Sequence, residues 1–314
     1  MVAVGYGFGQ QPSPSTGWFT AAELRRLGAD VGLWVLVLVG AAAGLVGEPW
    51  VDDFAGVLPL LVAMVLFMFA HGARRYGWTG AVAFFAAAFL ISNIGAKLFA
   101  HTGLRFGHYA WVHHGESILS RVPYALGAFY AAMGYLAWSI ASVLLDGADD
   151  RLRTSRFDTV ALPLVASFVM STWDMVVDPL SSTRGAVWTW LDGSRDLPVP
   201  LRSFGGWWLT VYLVFQTFAL YLRWRRQPLP ASEGAAITWQ PVSLYIAIGL
   251  SYIPTLLAAS GGGLVGDAGV PWDRRALFET AMVISLFTMW FASGLAVIKL
   301  LRPSGQHCVG SYRS

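Results

Sequence analysis

The sequence is poor in charge. Asp, Glu, Lys and Arg together make up 12% of its 314 residues, against roughly 25% in a soluble globular protein. That shortage implies that most of the chain is kept out of water. Cysteine is nearly absent as well: the one copy, Cys308, lies in a polar tail, which excludes an internal disulfide and a thiolate metal cluster. No basic stretch leads into an apolar core at the start; Met1 to Thr20 is rich in Gly, Pro and Ser. This segment therefore reads as a polar tail rather than a cleavable signal, and the first apolar run is expected to be a retained helix. The formal charge of +3 is small and scattered, so there is no electrostatic footprint for nucleic acid.

What fills the space is apolar. Hydrophobic residues are 56% of the chain, and tryptophan occurs 15 times, a residue suited to membrane interfaces and aromatic cavities. Eight apolar runs approach the length needed to cross ~30 Å of hydrocarbon: Val31–Val46, Phe54–His71, Gly77–Ala100, Val122–Leu145, Thr159–Val177, Gly206–Leu222, Val242–Ser260 and Ala276–Leu301. The expected fold is all-α, a polytopic transmembrane bundle of about eight helices. Seven is the alternative, because the first two runs are short. Residues 1–29 form a polar N-terminal tail, 30–302 the membrane domain and 303–314 a polar C-terminal tail. Arg74-Arg75, Arg151–Arg156 and Arg223–Arg226 fall in connections on one side, and with the N-terminus inside that side holds 13 of the 21 basic residues. The positive-inside rule then predicts both termini in the cytoplasm of an inner-membrane protein. The longer connections, His101–Arg121 and Asp178–Gly205, fall on the opposite side. Long loops concentrate function.

Three groups of residues there bear chemistry. The first is Trp173-Asp174-Met175-Val176-Val177-Asp178-Pro179. A spacing of four puts Asp174 and Asp178 on one helix face, and Pro179 predicts that the helix ends near Asp178. Two carboxyls close together in a low dielectric do not both ionise cheaply, so the pair offers a neutral acid beside a charged base. A simpler role for Asp178 is to cap or bridge a loop arginine such as Arg184. The second group runs from Thr102 to Trp111 and contains Phe106, His108 and Tyr109. His108 and Tyr109 are hydrogen-bonding and proton-transfer groups, or interfacial anchors. The third comprises Trp188, Trp190, Trp207 and Trp208, either an aromatic belt or a wall for a long π-rich ligand and a cationic intermediate. Lys97 and Glu279 stand near span ends; Lys97 can snorkel and Glu279 can pair with Arg275, four residues earlier. His113 and His114 are adjacent and lack spaced partners, so no metal site is read, although His71 and His101 can in principle converge.

In this order, the three groups resemble the membrane carotenoid-biosynthesis family, whose characterised members include γ-carotene and bisanhydrobacterioruberin hydratases. The resemblance rests on Phe106-Gly107-x-Tyr109, Val122-Pro123 and Gly134-Tyr135-x-Ala137-Trp138. It continues with Trp173-Asp174 and Asp178-Pro179, Trp188-x-Trp190, Val199-Pro200-Leu201, Phe204 and Gly206-Trp207. It covers roughly Ser92 to Trp208. Three positions depart from the family pattern: no carboxylate follows Ser92-Asn93, Arg105 replaces a proline, and Arg195-Asp196-Leu197-Pro198 replaces an aromatic-Gly pair.

The resemblance implies a hydro-lyase that adds water to an acyclic carotenoid end group without a cofactor or metal. Asp174 would donate the proton. Asp178, with Tyr109 or His108, would activate water. Trp173, Trp188, Trp190, Trp207, Phe106 and Asn93 would contact the substrate. The expected partners are a carotenoid or other isoprenoid lipid, the membrane, and other enzymes of the pathway. The alternative is a non-catalytic carotenoid- or lipid-binding subunit or transporter. Diphosphate-binding aspartate clusters are lacking, and Asp149-Asp150, set among basic residues, is too sparse to make one.

Overall fold

The computed structural model describes residues 20–46, 54–102, 109–111, 124–183, 188–190, 199–225, 229–230, 234–258, 264–265 and 272–302. The fold is all-α, with two short antiparallel strand pairs at loop positions.

Helix α1 (Ala21–Val46) starts well before the apolar run at Val31. A reciprocal cap explains the early start: the Thr20 backbone N–H donates to Glu23 (2.7 Å) and the Glu23 N–H donates to Thr20 Oγ1 (3.3 Å), satisfying donors that a helix start leaves orphaned.

The next element, α2 (Phe54–Thr102), is two helical limbs joined at Gly77, whose φ 75°, ψ 162° is non-helical. Its apolar part, Leu58–Leu98, is 41 residues long, or about 60 Å if straight, twice the hydrocarbon thickness. It is not straight. Phe69 and Phe85 have ring centroids 5.1 Å apart, and a Cβ placed on Gly72 would lie 3.3 Å from the Ala81 Cβ. In a straight helix those pairs would be about 24 and 14 Å apart. The two limbs therefore fold back on each other at Gly77, and α2 is two of the expected crossings joined by a turn with almost no loop.

Helix α3 (Tyr124–Leu144) lies at the centre and is almost wholly buried from Tyr130 onward. It packs on α2, on α5 (Arg156–Thr183) and on α7 (Ala236–Leu250). The short α4 (Ala148–Arg151) links α3 to α5. Next come α6 (Leu201–Trp224), α7 with its continuation α8 (Tyr252–Ala258), and the last span. That span is α9 (Arg274–Ser285), a π-helical turn (Leu286–Trp290) and α10 (Phe291–Leu301). Among the described residues six helices are long and apolar enough to cross a membrane. One of them is the α2 hairpin, and α6 adds a further apolar helix diluted by Trp, Tyr and Gln216. Over their described residues, the eight apolar runs thus coincide with helices. The chain is an integral membrane protein: Leu38, Val62, Leu66, Leu90, Phe168, Phe287 and other large apolar side chains lie exposed along these helices, an arrangement that only lipid or another apolar partner makes favourable.

The core is an aromatic cluster. Phe84 and Phe218 meet edge to face at 4.9 Å, Trp138 lies 5.2 Å from Phe218, and Tyr76 lies 5.4 Å from it. These rings join α2, α3 and α6 with the offset geometry their quadrupoles favour.

Candidate active site at the aromatic end of the bundle

Two of the three sequence groups come together through backbone pairing. Strand β1 (Tyr109–Trp111) pairs antiparallel with β2 (Trp188–Trp190), with Tyr109 opposite Trp190 and Trp111 opposite Trp188. The ribbon is anchored because β2 packs on α5, the helix that carries the acidic pair. His108 and Phe106 lie outside the described residues, as do His113, His114 and Arg184.

The expected helix end at Asp178 is not found. Helix α5 runs through Pro179 to Thr183. A proline inside a helix costs about 3 kcal/mol locally. Unwinding the segment in lipid would strip several backbone groups of partners at several kcal/mol each, so the intact helix wins. The missing proline N–H leaves the Met175 carbonyl without its usual helical donor, next to Asp174. Asp178 is 1% exposed. Asp174 is half-buried, and its Oδ2 is buried with no hydrogen-bond partner among the described residues. One turn apart, the two side chains start about 5–6 Å from each other.

Aromatic rings tie α5 and α6 to the central helix α3. Trp173 stacks on Phe129 of α3 at 6.5 Å, and Trp207 of α6 lies 5.4 Å from Tyr130. Consecutive residues of α3 therefore each hold one of the tryptophans picked out in the sequence. Trp208 turns elsewhere, against Phe168 and Tyr212 at 5.6 and 5.5 Å, in the α5–α6 seam. The Trp173 indole faces the buried Tyr252 hydroxyl. Tyr245 stands on the same side, its hydroxyl 2.9 Å from Thr172 Oγ1 and 3.1 Å from the Val169 carbonyl. Sequence reasoning missed Tyr245 and Tyr252; a tyrosine pair inside the apolar 242–260 run was the signal available.

Asn93 takes a less open position. Its amide donates to the Phe89 carbonyl at 2.8 Å, and it lies hard against Gly127 of α3, where an added Cβ would also meet the Phe89 ring at 2.7 Å. Gly127 is what lets α2 and α3 approach here. Lys97 is half-buried on the same limb. Glu279 is exposed and pairs with Arg275 at 2.8 Å, the simple i,i+4 partnership expected of it.

The opposite end holds a polar network that the sequence did not disclose. Asp149 is almost fully buried; it pairs with Arg75 at 2.8 Å, accepts from the Tyr76 hydroxyl at 2.7 Å and accepts from Ser142. The Trp138 indole donates to the Tyr76 hydroxyl at 3.0 Å, and Arg225 donates to the Tyr76 carbonyl. His71 does not turn toward a metal cluster. Its Nε2–H donates to the Ile237 carbonyl at 2.6 Å, which leaves Nδ1 to accept from the Tyr135 hydroxyl at 2.6 Å. An intramembrane His71 four residues before Arg75 was the overlooked sequence signal. Sixteen residues of α5 separate the level of Asp158 from Asp174, so the two ends stand about 24 Å apart.

No curated protein and no solved structure matches the chain. Residues 55–265 match the family model described as carotenoid biosynthesis protein. That match takes in both limbs of α2, the central helix, the acidic pair, the paired strands and the tryptophans of α6. The chain belongs to the carotenoid biosynthesis protein family.

Proposed function

We propose that the protein hydrates the terminal C1=C2 bond of an acyclic carotenoid end group. The observation that carries this reading is the acidic pair: Asp174 and Asp178 on adjacent turns of a lipid-embedded helix, next in the chain to Trp173, in a family of carotenoid biosynthesis.

The chemistry asks for little else. The Asp174 carboxyl, protonated, gives its proton to the less substituted alkene carbon; the π pair forms the new C–H bond and leaves a tertiary cation. A desolvated neutral acid suits this step. The faces of Trp173, Trp207, Trp188 and Trp190 stabilise the cation, with Phe106 and Asn93 completing the wall. Water, oriented by Tyr109 or His108, adds to the cation and passes a proton to the Asp178 carboxylate. Return of that proton to Asp174, one turn away, resets the pair. The net change is alkene plus water to tertiary alcohol, with no redox cofactor. The carotenoid enters from the bilayer, its only solvent, and the aromatic end faces away from the cytoplasm.

Expression in a lycopene-accumulating bacterium, followed by mass analysis of its pigments, tests this. The expected result is a gain of one water per modified end. Pigment that co-purifies with unchanged mass would instead favour a carotenoid-binding subunit or transporter, the reading suggested by the lack of a carboxylate after Asn93.

A further inference from the structure

A cavity of about 260 Å³ opens at the arginine-rich end, far from the acidic pair. It lies between the turn of α2, the α3–α4 connection, the first turn of α7 and the last turn of α10. Arg75, Lys299, Asp146, Asp149, Asp150 and Ile237 line it. At about 30 Å³ per water-sized unit, it has room for a group of eight or nine heavy atoms.

The charges are mixed and incompletely matched. Arg75 is nine-tenths buried and pairs with both Asp149 and Asp150 at 2.8 Å. Its Nη1 is nonetheless buried with no hydrogen-bond partner among the described residues. The start of α7 adds positive potential to the same wall: it is a 15-residue helix, its cap residue Ala235 offers no side-chain acceptor, and Ile237 of its first turn lines the cavity. This side calls for an anionic acceptor. The mouth calls for the reverse. Asp146 and Asp150 are exposed there, with side chains 78% and 52% accessible. With Asp149 they make three carboxylates against the two cations Arg75 and Lys299. A purely anionic ligand meets that excess, and a simple cation leaves Arg75 Nη1 unanswered.

We infer that this cavity binds a zwitterionic lipid headgroup that carries a phosphate and a primary ammonium. The phosphate takes the Arg75 and α7 side, and the ammonium donates to Asp146 and Asp150. The site lies where a headgroup lies, at the ends of the spans, and its chemistry is independent of the reaction at Asp174.

The test uses the full chain in detergent. Short-chain phosphatidylethanolamine, phosphatidylglycerol and phosphatidylcholine are added in parallel with free phosphoethanolamine and inorganic phosphate, and Tm is followed. Binding to the folded state raises Tm by mass action. Phosphatidylethanolamine is expected to give a saturable rise of about 2–8 °C. The choline lipid, whose ammonium has no N–H, and the glycerol lipid are expected to give less than half of it. Asp146→Asn and Asp150→Asn together should remove the phosphatidylethanolamine shift. Equal shifts from phosphatidylglycerol, or a shift unchanged in the double variant, would overturn the assignment. A full effect from free phosphoethanolamine would overturn the lipid source, and from inorganic phosphate the zwitterionic class. If the double variant does not fold, native mass spectrometry of the wild type decides: retained phosphatidylethanolamine supports the site, and retained phosphatidylglycerol or no lipid refutes it.

Discussion

Asp174 and Asp178 differ in exposure although they share a helix face. Asp178 is 1% exposed; Asp174 is half-buried, with its Oδ2 free of partners among the described residues. An acid that must meet a substrate has to be reachable, which makes the less buried Asp174 the better donor. Asp174→Asn keeps the shape and removes the proton. It is expected to abolish hydration while the protein still inserts and runs as a folded species in detergent chromatography; turnover at the wild-type level would remove Asp174 from that role. Trp207 is argued differently, since Tyr130 holds it and a cation would only be its transient neighbour. Trp207→Leu should lower turnover about two- to thirty-fold, the equivalent of roughly 0.5–2 kcal/mol, with a smaller loss in pigment binding. Equal losses in both would make it a wall without chemistry. These two residues were legible in the sequence by type and spacing. Tyr245, Tyr252 and Asp149 were passed over, because the partners that give them a role come from other helices.

At the scale of elements, the hairpin in α2 shows where local signals mislead. The pattern around Gly77 contains no loop: Arg74-Arg75-Tyr76-Gly77-Trp78 runs straight between two apolar stretches, and one glycine at φ 75° makes the turn. The backbone region it occupies belongs essentially to glycine, and another residue there costs about 1–3 kcal/mol. Gly77→Ala should therefore lower thermal stability in detergent through backbone strain, since the added Cβ would meet the Arg225 guanidinium only at an ordinary contact distance of 3.4 Å. Gly28→Ala, inside α1 where nothing lies within 4 Å, is the control and should be neutral or slightly stabilising, as alanine is in a helix interior. If the two variants unfold at the same temperature, the turn does not depend on that conformation. Pro179 misleads in the other direction: read alone it stops a helix, yet α5 passes through it, because lipid penalises an open backbone more than a helix penalises proline.

Over the whole molecule, the arginine clusters gather at one end. Arg223 donates to the Leu152 carbonyl and to Thr159, both at 3.0 Å; Arg225 reaches the Tyr76 carbonyl; Lys299 pairs with Asp146 at 2.7 Å. The three arginine clusters that the sequence set apart thus converge on one end, and the exposed Trp78, Trp224 and Phe157 ring it, as aromatic residues do at a membrane interface. Eight apolar crossings would bring both termini to that side, and the positive-inside rule predicts that it is the cytoplasm. A reporter active only in the cytoplasm, fused after Arg313, is expected to be active; a signal from the far side would invert the orientation and put the acidic pair toward the cytoplasm. Composition and hydropathy by themselves determined that this is an all-α membrane protein, where its apolar helices run and which acids share a face, because span length and helical period are properties of a single segment. Only the tertiary structure decided that α2 doubles back, that β1 finds β2, that Trp173 and Trp207 pack on consecutive rings of α3 while Trp208 packs in the α5–α6 seam, and that Asp149 becomes the buried centre of a network. Each of these is a contact between segments far apart in the chain, and no local period encodes which residues will meet.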